Sequence, residues 1–347
     1  MTAANPVLVE AWRGDTVESV HRGALAVVDA GGALVASLGD VERPIFPRSA
    51  VKLLQALPLV ASGAADRCGL SDAELALACA SHGGEALHTQ TAAAMLGKAG
   101  LDAQVLECGC HWPYNEAAAR ALAAAGQAPS ALHNNCSGKH AGFACLGTQM
   151  AGADTRGWLR GYVQPEHALM REVTAAVARA TGVDLARMPA GTDGCSIPTH
   201  AQPLRALALG YARVGTGIGL RADHARAAVR LRCAVAAEPL HAAGTGRFDS
   251  RIGAHFRERV YCKVGAEGVY CAALPERGFG IAIKMDDGNT ARAVEVVMAA
   301  TIEALLPLAD ADAALLRSLS DARITNWNGL VVGRLAATPL LREGLRA

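Results

Sequence analysis

The sequence predicts an α+β fold: an antiparallel sheet built from N- and C-terminal strands, flanked by helices and interrupted by a mostly helical inserted lobe. Strand-like runs fill the first part of the chain and return near its end. Between them, from Pro47 to about Ala243, the chain is rich in alanine and has apolar residues at three- and four-residue spacing. A lone N-terminal hairpin buries too little surface to be stable, so we expect it to pair with the C-terminal strands.

The N-terminal strands are predicted in two runs, VLVEAWRG and VHRGALAVVDAGGALVASLGD. The second run contains Asp29-Ala30-Gly31-Gly32, a composition typical of a hairpin turn. The helical lobe begins after these strands, and Ser71 followed by Glu74 predicts a capping box at one helix start. Its clearest helical segments end at glycine or share helical periodicity: SAVKLLQALPLVASG, EALHTQTAAAMLGKAG, NEAAARALAAAGQ, PEHALMREVTAAVARATG and RADHARAAVRLRCAVAAE.

Strand character returns in RVYCKVG, GVYCAAL and GFGIAIKM, which predict an antiparallel meander with turns at 266–268 and 275–278. A helix, TARAVEVVMAATIEALL, and a last strand within NGLVVGRLAA complete the sheet domain. We therefore predict a sheet domain formed by residues 1–46 and 245–347, and a helical lobe formed by residues 47–244. The two are expected to act as one functional unit.

Composition excludes several classes of protein. Hydrophobic residues make up 51% and charged residues 19%, which excludes a disordered chain. The 33 Lys and Arg balance 32 Asp and Glu, which argues against a nucleic-acid partner. No apolar stretch is long enough to span a membrane, and the start does not resemble a secretory signal. We expect a cytoplasmic location, where the ten cysteines would be thiols or metal ligands rather than disulfides.

The first candidate for chemistry is Ser49 with Lys52, where strand-like sequence gives way to helix-like sequence. Three residues apart on a helix, the amine can reach the hydroxyl. A serine hydroxyl needs a base to become a nucleophile, and lysine can be that base only when neutral. A capping serine followed by a solvated lysine is the simpler alternative, because S-x-x-K is a short motif.

Two weaker candidates lie elsewhere. Ser81 follows an apolar helix in ASHGGE, where a glycine-rich helix end explains the sequence equally well. Lys263 lies in the strand YCKVGAEG. If its side chain pointed inward toward Lys52, the like charges would push both amines toward neutrality; an outward-facing strand lysine is the alternative.

The run LHNNCSGKHAGF concentrates polar groups in a chain dominated by alanine and leucine. It contains Asn134, Cys136, Lys139 and His140 and leads into a helix, a position where loops often carry function. It lacks the glycine and hydroxyl spacing of a phosphate-binding loop. A capped loop without function is the alternative.

A second polar loop, GTDGCSIPT, contains Asp193 and Cys195. Cys195 together with Cys136 could supply two thiolates to a zinc ion, which prefers sulfur and nitrogen donors. Neither a C-x-x-C pairing nor a histidine-rich spacing supports this site. Cys108 and Cys110 form a rival pair that we leave as structural or redox-active.

In this order, FPRSAVK, CASHGGE, HNNCSGKHAGF, GTDGCSIP and YCKVGAEG resemble the rhizobial-type L-asparaginase family, also called class 3 or asparaginase II. The resemblance runs from about Val7 to about Leu335, and HNNCSGKH and TDGCSIP are its specific motifs. The family is similar in fold to glutaminases and serine β-lactamases, with an antiparallel sheet flanked by helices and a mostly helical lobe.

The resemblance implies hydrolysis of L-asparagine to L-aspartate and ammonia, hence a role in asparagine breakdown. It implies two Ser–Lys tandems, Ser49 with Lys52 and Ser81 with Lys263, and an acyl-enzyme formed on Ser49. It also implies a homodimer with one Zn²⁺ per chain. The metal ligands in the family match Cys136, Lys139 and Cys195, and a lysine ligand must be deprotonated.

For substrate binding, the resemblance places Asp193 at the substrate ammonium and Arg48, His140 and Asn134 in the pocket wall. A glutaminase is the nearest alternative function, because its substrate differs by one methylene. A penicillin-binding protein or β-lactamase would share Ser49-x-x-Lys52 but is expected to contain Ser-Asp-Asn and Lys-Thr-Gly, which are absent from this sequence. A zinc-binding protein without catalysis is a further alternative.

Overall fold

The computed structural model describes residues 4–345 of the chain and divides it into two compact units. The first, the sheet unit, consists of Met1–Ala50, Gln202–Gly215 and Cys262–Ala347, as far as these residues are described. The second, the helical unit, consists of Val51–Ala201 and Thr216–Tyr261. The helical unit thus starts near the predicted residue 47 but extends to 261 instead of 244, and the segment 202–215 joins the sheet unit.

Strands lie mainly toward the two ends of the chain, and helices fill most of its middle. The strands are β1 (Val7–Arg13), β2 (Thr16–Asp29), β3 (Leu34–Leu38), β4 (Pro44–Ile45), β5 (Ala190–Thr192), β6 (Pro198–His200), β7 (Gln202–Pro203), β8 (Tyr261–Val264), β9 (Val269–Leu274), β10 (Phe279–Met285), β11 (Asp321–Thr325) and β12 (Val331–Ala337). The α-helices are α1 (Lys52–Ala61), α2 (Ala64–Arg67), α3 (Asp72–Ala78), α4 (Ala86–Lys98), α5 (Glu116–Ala124), α6 (Ser137–Met150), α7 (Thr155–Trp158), α8 (Ala168–Thr181), α9 (Leu204–Thr216), α10 (Ala222–Ala237), α11 (Pro239–Ala242), α12 (Phe248–Phe256), α13 (Glu295–Leu305), α14 (Asp310–Ser320) and α15 (Pro339–Gly344).

The sheet has the strand order β11-β12-β1-β2-β10-β9-β8, with β3 added beside β2. The pairings of β1, β2, β3, β9, β10, β11 and β12 are antiparallel. The long strand β2 connects N-terminal and C-terminal strands within the sheet. Its first half pairs with β1 and its second half pairs with β10. The prediction of one mixed α/β fold with a sheet from both ends of the chain is confirmed.

Helix α9 belongs to the sheet unit because it packs closely on β10. A Cβ built at Gly280 would lie 1.9 Å from the carbonyl oxygen of Ala208 and 2.3 Å from the amide nitrogen of Ala212. Only glycine lets the strand and helix backbones approach this closely. This contact explains why residues 202–215 leave the helical lobe in which the sequence placed them.

The helical unit is built around α6. Its residues from Ser137 to Gly147 are all buried, as expected for a helix surrounded by others. It packs against α1, α3, α4 and α8. Helix α12 packs on α11 and α10, and the Ser250 hydroxyl donates to the carbonyl of Gly244 at 2.7 Å. These contacts extend the helical unit beyond residue 244.

Several local predictions are confirmed: the turn between β2 and β3, the β8-β9-β10 meander and the Ser71–Glu74 capping box. Strand β11 was not predicted, since DARIT is short and alternates without strong apolar character. The helix predicted at residues 290–306 begins with a π-helical turn, Thr290–Val294, before α13. Among the described residues, none of the helices combines the length and the hydropathy needed to cross a membrane.

Candidate active site

In the helical unit, Lys52 is the first residue of α1 and its side chain is fully buried. Its amine donates to the carbonyl of Ala80 at 2.5 Å, to the hydroxyl of Ser81 at 2.9 Å and to the carbonyl of Asn135 at 3.4 Å. A buried amine is tolerated when its hydrogens have acceptors. These bonds place the Lys52 amine and the Ser81 hydroxyl, distant in sequence, in one polar cluster.

Ser81 is positioned by the segment that follows α3. The backbone N–H of His82 donates to the carbonyl of Asn135 at 3.2 Å, which ties this segment to the start of α6. Gly138 allows the approach, because a Cβ there would lie 2.4 Å from the carbonyl oxygen of Leu77. The glycine of the SGKH motif therefore lets α6 begin directly beside the end of α3.

His82 strengthens the same junction. Its Nδ1 accepts a hydrogen bond from the N–H of Gly84 at 3.1 Å, so its Nε2 donates to the hydroxyl of Ser137 at 2.9 Å. The ring stacks on His88 with centroids 4.7 Å apart. Burial and the neighbouring His88 hold the pKa of His82 well below its usual value, which keeps the ring neutral. Both nitrogens of His82 are thus used within the fold.

Cys136, Lys139 and Cys195 form a buried thiol–amine cluster. Cys136 precedes the first residue of α6, Lys139 lies in its first turn, and Cys195 lies in the turn between β5 and β6. The amine of Lys139 donates to the Cys195 sulfur at 2.9 Å, and the two thiols are hydrogen-bonded. The structure therefore brings together the three residues that the family resemblance implied as metal ligands.

The charges of this cluster are coupled. The hydrogen bond from Cys195, assisted by Lys52 and Lys139, lowers the pKa of Cys136 well below its usual value. The pKa of Cys195 is raised by the same bond and by burial. Burial alone would lower the pKa of Lys139, but its interactions with Cys195, Cys136 and the carboxylate of Asp193 outweigh burial and raise that pKa. The directions of these shifts favour negative charge on Cys136 and positive charge on Lys139.

The donor set suits zinc. Two sulfurs and one nitrogen converge here, and these are the donor types that zinc prefers. Within the described residues, no group of three or more His, Cys, Asp or Glu side chains could hold a metal ion. A zinc ion bound by this cluster would therefore need the Lys139 amine as its third ligand, in the deprotonated form.

Asn134 and Asp193 flank the cluster. The side-chain amide of Asn134 donates to the carbonyl of Cys108 at 2.8 Å, and its oxygen accepts the N–H of Cys136 at 2.9 Å. These bonds use Asn134 to shape the loop that carries Cys136, and its predicted contact with a substrate stays a prediction. A carboxylate oxygen of Asp193 lies 4.0 Å from the sulfur of Cys195. Asp193 keeps partial exposure beside the cluster, as a substrate-binding carboxylate requires.

His140 is the next residue on α6 and is fully buried. Its Nδ1 lies 2.6 Å from the hydroxyl of Tyr162. Burial, with the cations of Lys139 and Lys52, holds the pKa of His140 well below its usual value. Its Nε2 has no hydrogen-bond partner among the described residues. His140 therefore presents an unused polar atom inside the helical unit.

The sheet unit holds the other candidates. Arg48 and Ser49 lie in a one-turn 3-10 helix, Arg48–Val51, and Arg48 has a left-handed φ of 52°. Lys263 lies on β8, is buried and donates to the carbonyl of Val264 at 2.9 Å. A Cβ at Gly265 would lie 2.7 Å from the carbonyl oxygen of Pro47. Within this unit, the end of β8 thus packs beside the segment that leads to Ser49.

The predicted residues fall into two groups. The helical unit contains Lys52 and Ser81, which are hydrogen-bonded, together with the residues near the thiols: Asn134, Cys136, Lys139, His140, Asp193 and Cys195. The sheet unit contains Arg48, Ser49 and Lys263. The structure shows a hydrogen bond from Lys52 to Ser81, and the tandem of Ser81 with Lys263 that the resemblance implies stays a prediction.

Two contributors were missed in the sequence. His111 accepts the N–H of Asn135 at 2.9 Å, and Tyr162 contacts His140. Neither residue lies in a motif that suggests a function. The rarity of tyrosine, with five in the chain, is the one signal that could have drawn attention to Tyr162.

Comparisons with known proteins add one strong finding. The family described as L-asparaginase II matches residues 9–337 of the chain. No curated protein matches it.

Solved structures are similar to the chain at low identity. A beta-lactamase from Mycobacterium bovis is 12% identical, with a TM-score of 0.39 over 85% of this chain and 94% of that one. Mglu is 16% identical, with a TM-score of 0.35 over 79% of this chain and 64% of its own. Mglu in its tris and glutamate form is 16% identical, with a TM-score of 0.33 over 84% of this chain and 61% of that one. This chain spans less than two thirds of Mglu, and similarity at this level carries no argument about substrate.

Proposed function

Because the chain belongs to the L-asparaginase II family, a family of amidohydrolases, we propose that it hydrolyses the side-chain amide of L-asparagine to L-aspartate and ammonia. The observation that carries the proposal beyond family membership is the buried hydrogen bond between Lys52 and Ser81. A lysine amine held against a serine hydroxyl, away from water, is an arrangement that can activate a nucleophile.

The acceptors around Lys52 suit a base. Its amine faces two backbone carbonyls, of Ala80 and Asn135, and one hydroxyl, of Ser81. A neutral amine has two hydrogens for the carbonyls and one lone pair that can accept the hydroxyl hydrogen. The same three partners accept all three hydrogens of the ammonium form. The Lys52 amine is also hydrogen-bonded to the sulfur of Cys136, which connects the Ser81 hydroxyl to the thiol–amine cluster.

For the reaction, we assign the nucleophile to Ser49, with Lys52 three residues later in the chain as its base. The Ser49 oxygen bonds to the amide carbon while its proton passes to the Lys52 amine, and the C–N bond breaks as Lys52 gives that proton to the nitrogen, which leaves as ammonia. Water then attacks the ester carbon, the C–O bond to Ser49 breaks as one proton of the water returns to the Ser49 oxygen, and aspartate is released. The atoms balance as amide plus water giving carboxylate and ammonium.

Ser81 is the second candidate for the nucleophile. Its hydroxyl is the group to which the Lys52 lone pair would be directed. With Ser49 as nucleophile, Ser81 instead passes protons to and from Lys52. Lys263, buried on β8, is assigned as the partner amine of the second tandem, on family resemblance alone.

Substrate recognition is assigned to charged and polar groups that complement an amino acid. The guanidinium of Arg48 would bind the α-carboxylate, and the carboxylate of Asp193 would bind the ammonium. His140 would contribute its unpartnered Nε2. Asn134, whose amide also binds backbone at both ends, is assigned to the pocket wall, as the resemblance implies.

Zn²⁺ would be held by Cys136, Lys139 and Cys195, where it would supply positive charge that orients and polarises the substrate. The residues of the chain would carry out the proton transfers. We expect the metal-loaded chain to be a homodimer, as the resemblance implies.

The direct test is ammonia release from L-asparagine and from L-glutamine by the purified chain. We expect faster release from asparagine, by about 10- to 200-fold, since one methylene changes pocket contacts by this amount. Equal rates would favour a glutaminase or a general amidohydrolase. A chain that binds zinc but releases ammonia from neither amide would be a non-catalytic zinc protein.

Replacement of the serines identifies the nucleophile. Ser49→Ala should lower kcat by at least about a thousandfold, because removal of a nucleophile costs this much or more. Ser81→Ala is the matched variant, and we expect a smaller loss. The reverse order would assign the nucleophile to Ser81. Far-ultraviolet circular dichroism of both variants checks that the fold is retained.

A further inference from the structure

We propose that Tyr162 is a positioning residue that fixes which nitrogen of His140 carries the hydrogen, so that Nε2–H is held ready to donate to an oxygen of the substrate. The inference deepens the proposed function and rests on it for the identity of the substrate. It concerns a residue outside every motif of the family resemblance. All the groups involved lie in the helical unit.

The direction of the hydrogen bonds follows from what surrounds the Tyr162 hydroxyl. The backbone N–H of Glu107 can only donate, and it reaches the hydroxyl oxygen at 3.1 Å. The other partner is Nδ1 of His140, at 2.6 Å. The hydroxyl therefore accepts from Glu107 and gives its own hydrogen to Nδ1. A neutral imidazole that accepts at Nδ1 carries its hydrogen on Nε2.

Placing the hydrogen of His140 on Nδ1 would leave more polar groups without hydrogen-bond partners than placing it on Nε2. If Nδ1 carried the hydrogen, the hydroxyl of Tyr162 would accept two bonds and its own hydrogen would have no acceptor. The ring and the hydroxyl are both buried, so water does not compensate for the loss. The unpartnered Nε2 would remain in either case. The observed contacts therefore favour the Nε2–H form.

The Tyr162 hydroxyl is itself held in place. The N–H of Gly161, the preceding residue, donates to the carboxylate of Glu107 at 2.7 Å, while the N–H of Glu107 donates to Tyr162 at 3.1 Å. These two bonds join the backbone around Tyr162 to the segment around Glu107. The hydroxyl is thus fixed on one side before it contacts His140.

The unpartnered Nε2 indicates what the arrangement serves. Buried polar atoms nearly always have a hydrogen-bond partner, so one without a partner points to a group that binds from outside the chain. The Nε2–H group would donate a hydrogen bond to an oxygen atom, either of a carboxylate or of an amide carbonyl. The amines of Lys139 and Lys52 act electrostatically on the His140 ring, so this donor lies within electrostatic range of both amines.

The first experiment measures the hydrogen position without substrate. Long-range ¹H–¹⁵N spectra of the full chain labelled at histidine distinguish Nδ1–H from Nε2–H, and His140→Gln assigns the signal. We expect Nε2–H in the natural sequence and a mixture of both forms in Tyr162→Phe. A spectrum of the natural sequence with the hydrogen on Nδ1, or one unchanged in Tyr162→Phe, would overturn the proposal.

Phe143 provides a matched control for packing. The ring centroids of Phe143 and Tyr162 both lie 5.6 Å from that of His140, but Phe143 has no hydroxyl. Phe143→Leu should therefore keep His140 in the Nε2–H form even if it loosens the ring. A mixture of forms in Phe143→Leu would show that packing, and not the Tyr162 hydroxyl, decides the hydrogen position, which would contradict the proposal.

The second experiment uses turnover of L-asparagine. Tyr162→Phe should lower kcat/KM by about three- to tenfold, mainly through KM, as expected for one weakened hydrogen bond. In a His140→Ala background the same change should have little further effect, since Tyr162 acts through His140. An equal loss in both backgrounds would refute that route. If the natural chain releases no ammonia, the proposed function fails, whereas the spectra still test the role of Tyr162.

Discussion

Helix α6 carries two cysteines that resemble each other and differ in their surroundings. Cys136, at its N-terminal end, is hydrogen-bonded to Cys195, and Cys145, in its second half, is hydrogen-bonded to Cys68. In each pair one pKa is lowered and the other raised. The bond from Cys145 lowers the pKa of Cys68 to about 6, and the bond from Cys195 lowers the pKa of Cys136.

The difference lies in the nearby amines. Lys52 and Lys139 lie beside the first pair, and Lys139 donates directly to a sulfur. Beside the second pair, the amine of Lys98 instead binds the carboxylate of Glu74 at 2.6 Å. The two thiol pairs therefore differ in the charged groups that surround them. The amines, placed by α1 and by the first turn of α6, distinguish the first pair from the second.

The largest expected effect comes from removing one thiol of each pair. Cys136→Ser should abolish stoichiometric zinc binding and lower ammonia release by at least about 100-fold, because loss of groups around a metal already costs 10- to 100-fold. Cys68→Ser should leave both unchanged within about twofold. Elemental analysis and the amide assay measure the two variants in parallel. Full zinc content in Cys136→Ser would remove the metal site from the proposal.

Replacing the lysine amines near the two thiol pairs is expected to have a smaller effect on zinc binding. Lys139→Met should weaken zinc binding by about 10- to 100-fold, measured by competition with a chelator, since it removes the nitrogen donor. Lys98→Met is the control, because it removes the amine near the second pair. It should leave zinc affinity unchanged and lower the free energy of unfolding by about 1 kcal/mol or less, as expected for a partly exposed ion pair. Equal zinc affinities in the two variants would contradict the comparison.

The smallest expected effect is the pH dependence of stability that comes from His82, which links the N-terminal end of α6 to the segment after α3. Because burial lowers the pKa of His82, the folded chain binds this proton more weakly than the unfolded chain does. Its contribution to stability is therefore complete above pH ~6.5 and is lost as the pH falls below that value, by up to about 1.4 kcal/mol per pH unit.

Urea unfolding between pH 7.5 and 5.0 measures this dependence. We expect His82→Gln to reduce its slope relative to the natural sequence. An identical slope in the natural sequence and in His82→Gln would exclude His82 as a source of the pH dependence. Comparing slopes rather than absolute stabilities separates this effect from any packing loss.

Much of the architecture was predictable because its signals are local. The β2–β3 turn, the β8-β9-β10 meander and the capping box at Ser71 depend on residues within a few positions of one another. Strand β11 was missed because its short alternating sequence becomes a strand only through pairing with β12. The packing of α12 on α11, which extends the compact helical unit to residue 261, has no signal in the sequence of either helix.

In the candidate site, the polar runs around Cys136 and Cys195 were visible because such residues are unusual in an alanine-rich chain. Their convergence was suggested by resemblance and is seen only in the folded helical unit. The hydrogen bond between Lys52 and Ser81 was not predicted, since hydrogen bonds between residues far apart in sequence depend on how helices pack. Tyr162 was missed for the same reason, because it acts on a residue 22 positions away.

The sequence alone therefore determined the residue types available for chemistry, the alternation of strands and helices, and the family. Periodicity, turn composition and motif spacing are properties of neighbouring residues, so they can be read without coordinates. Tertiary structure decided that Lys52 is hydrogen-bonded to Ser81, Lys139 to Cys195 and Tyr162 to His140. These contacts depend on close helix packing, such as that at Gly138, and packing sums many weak interactions across the chain.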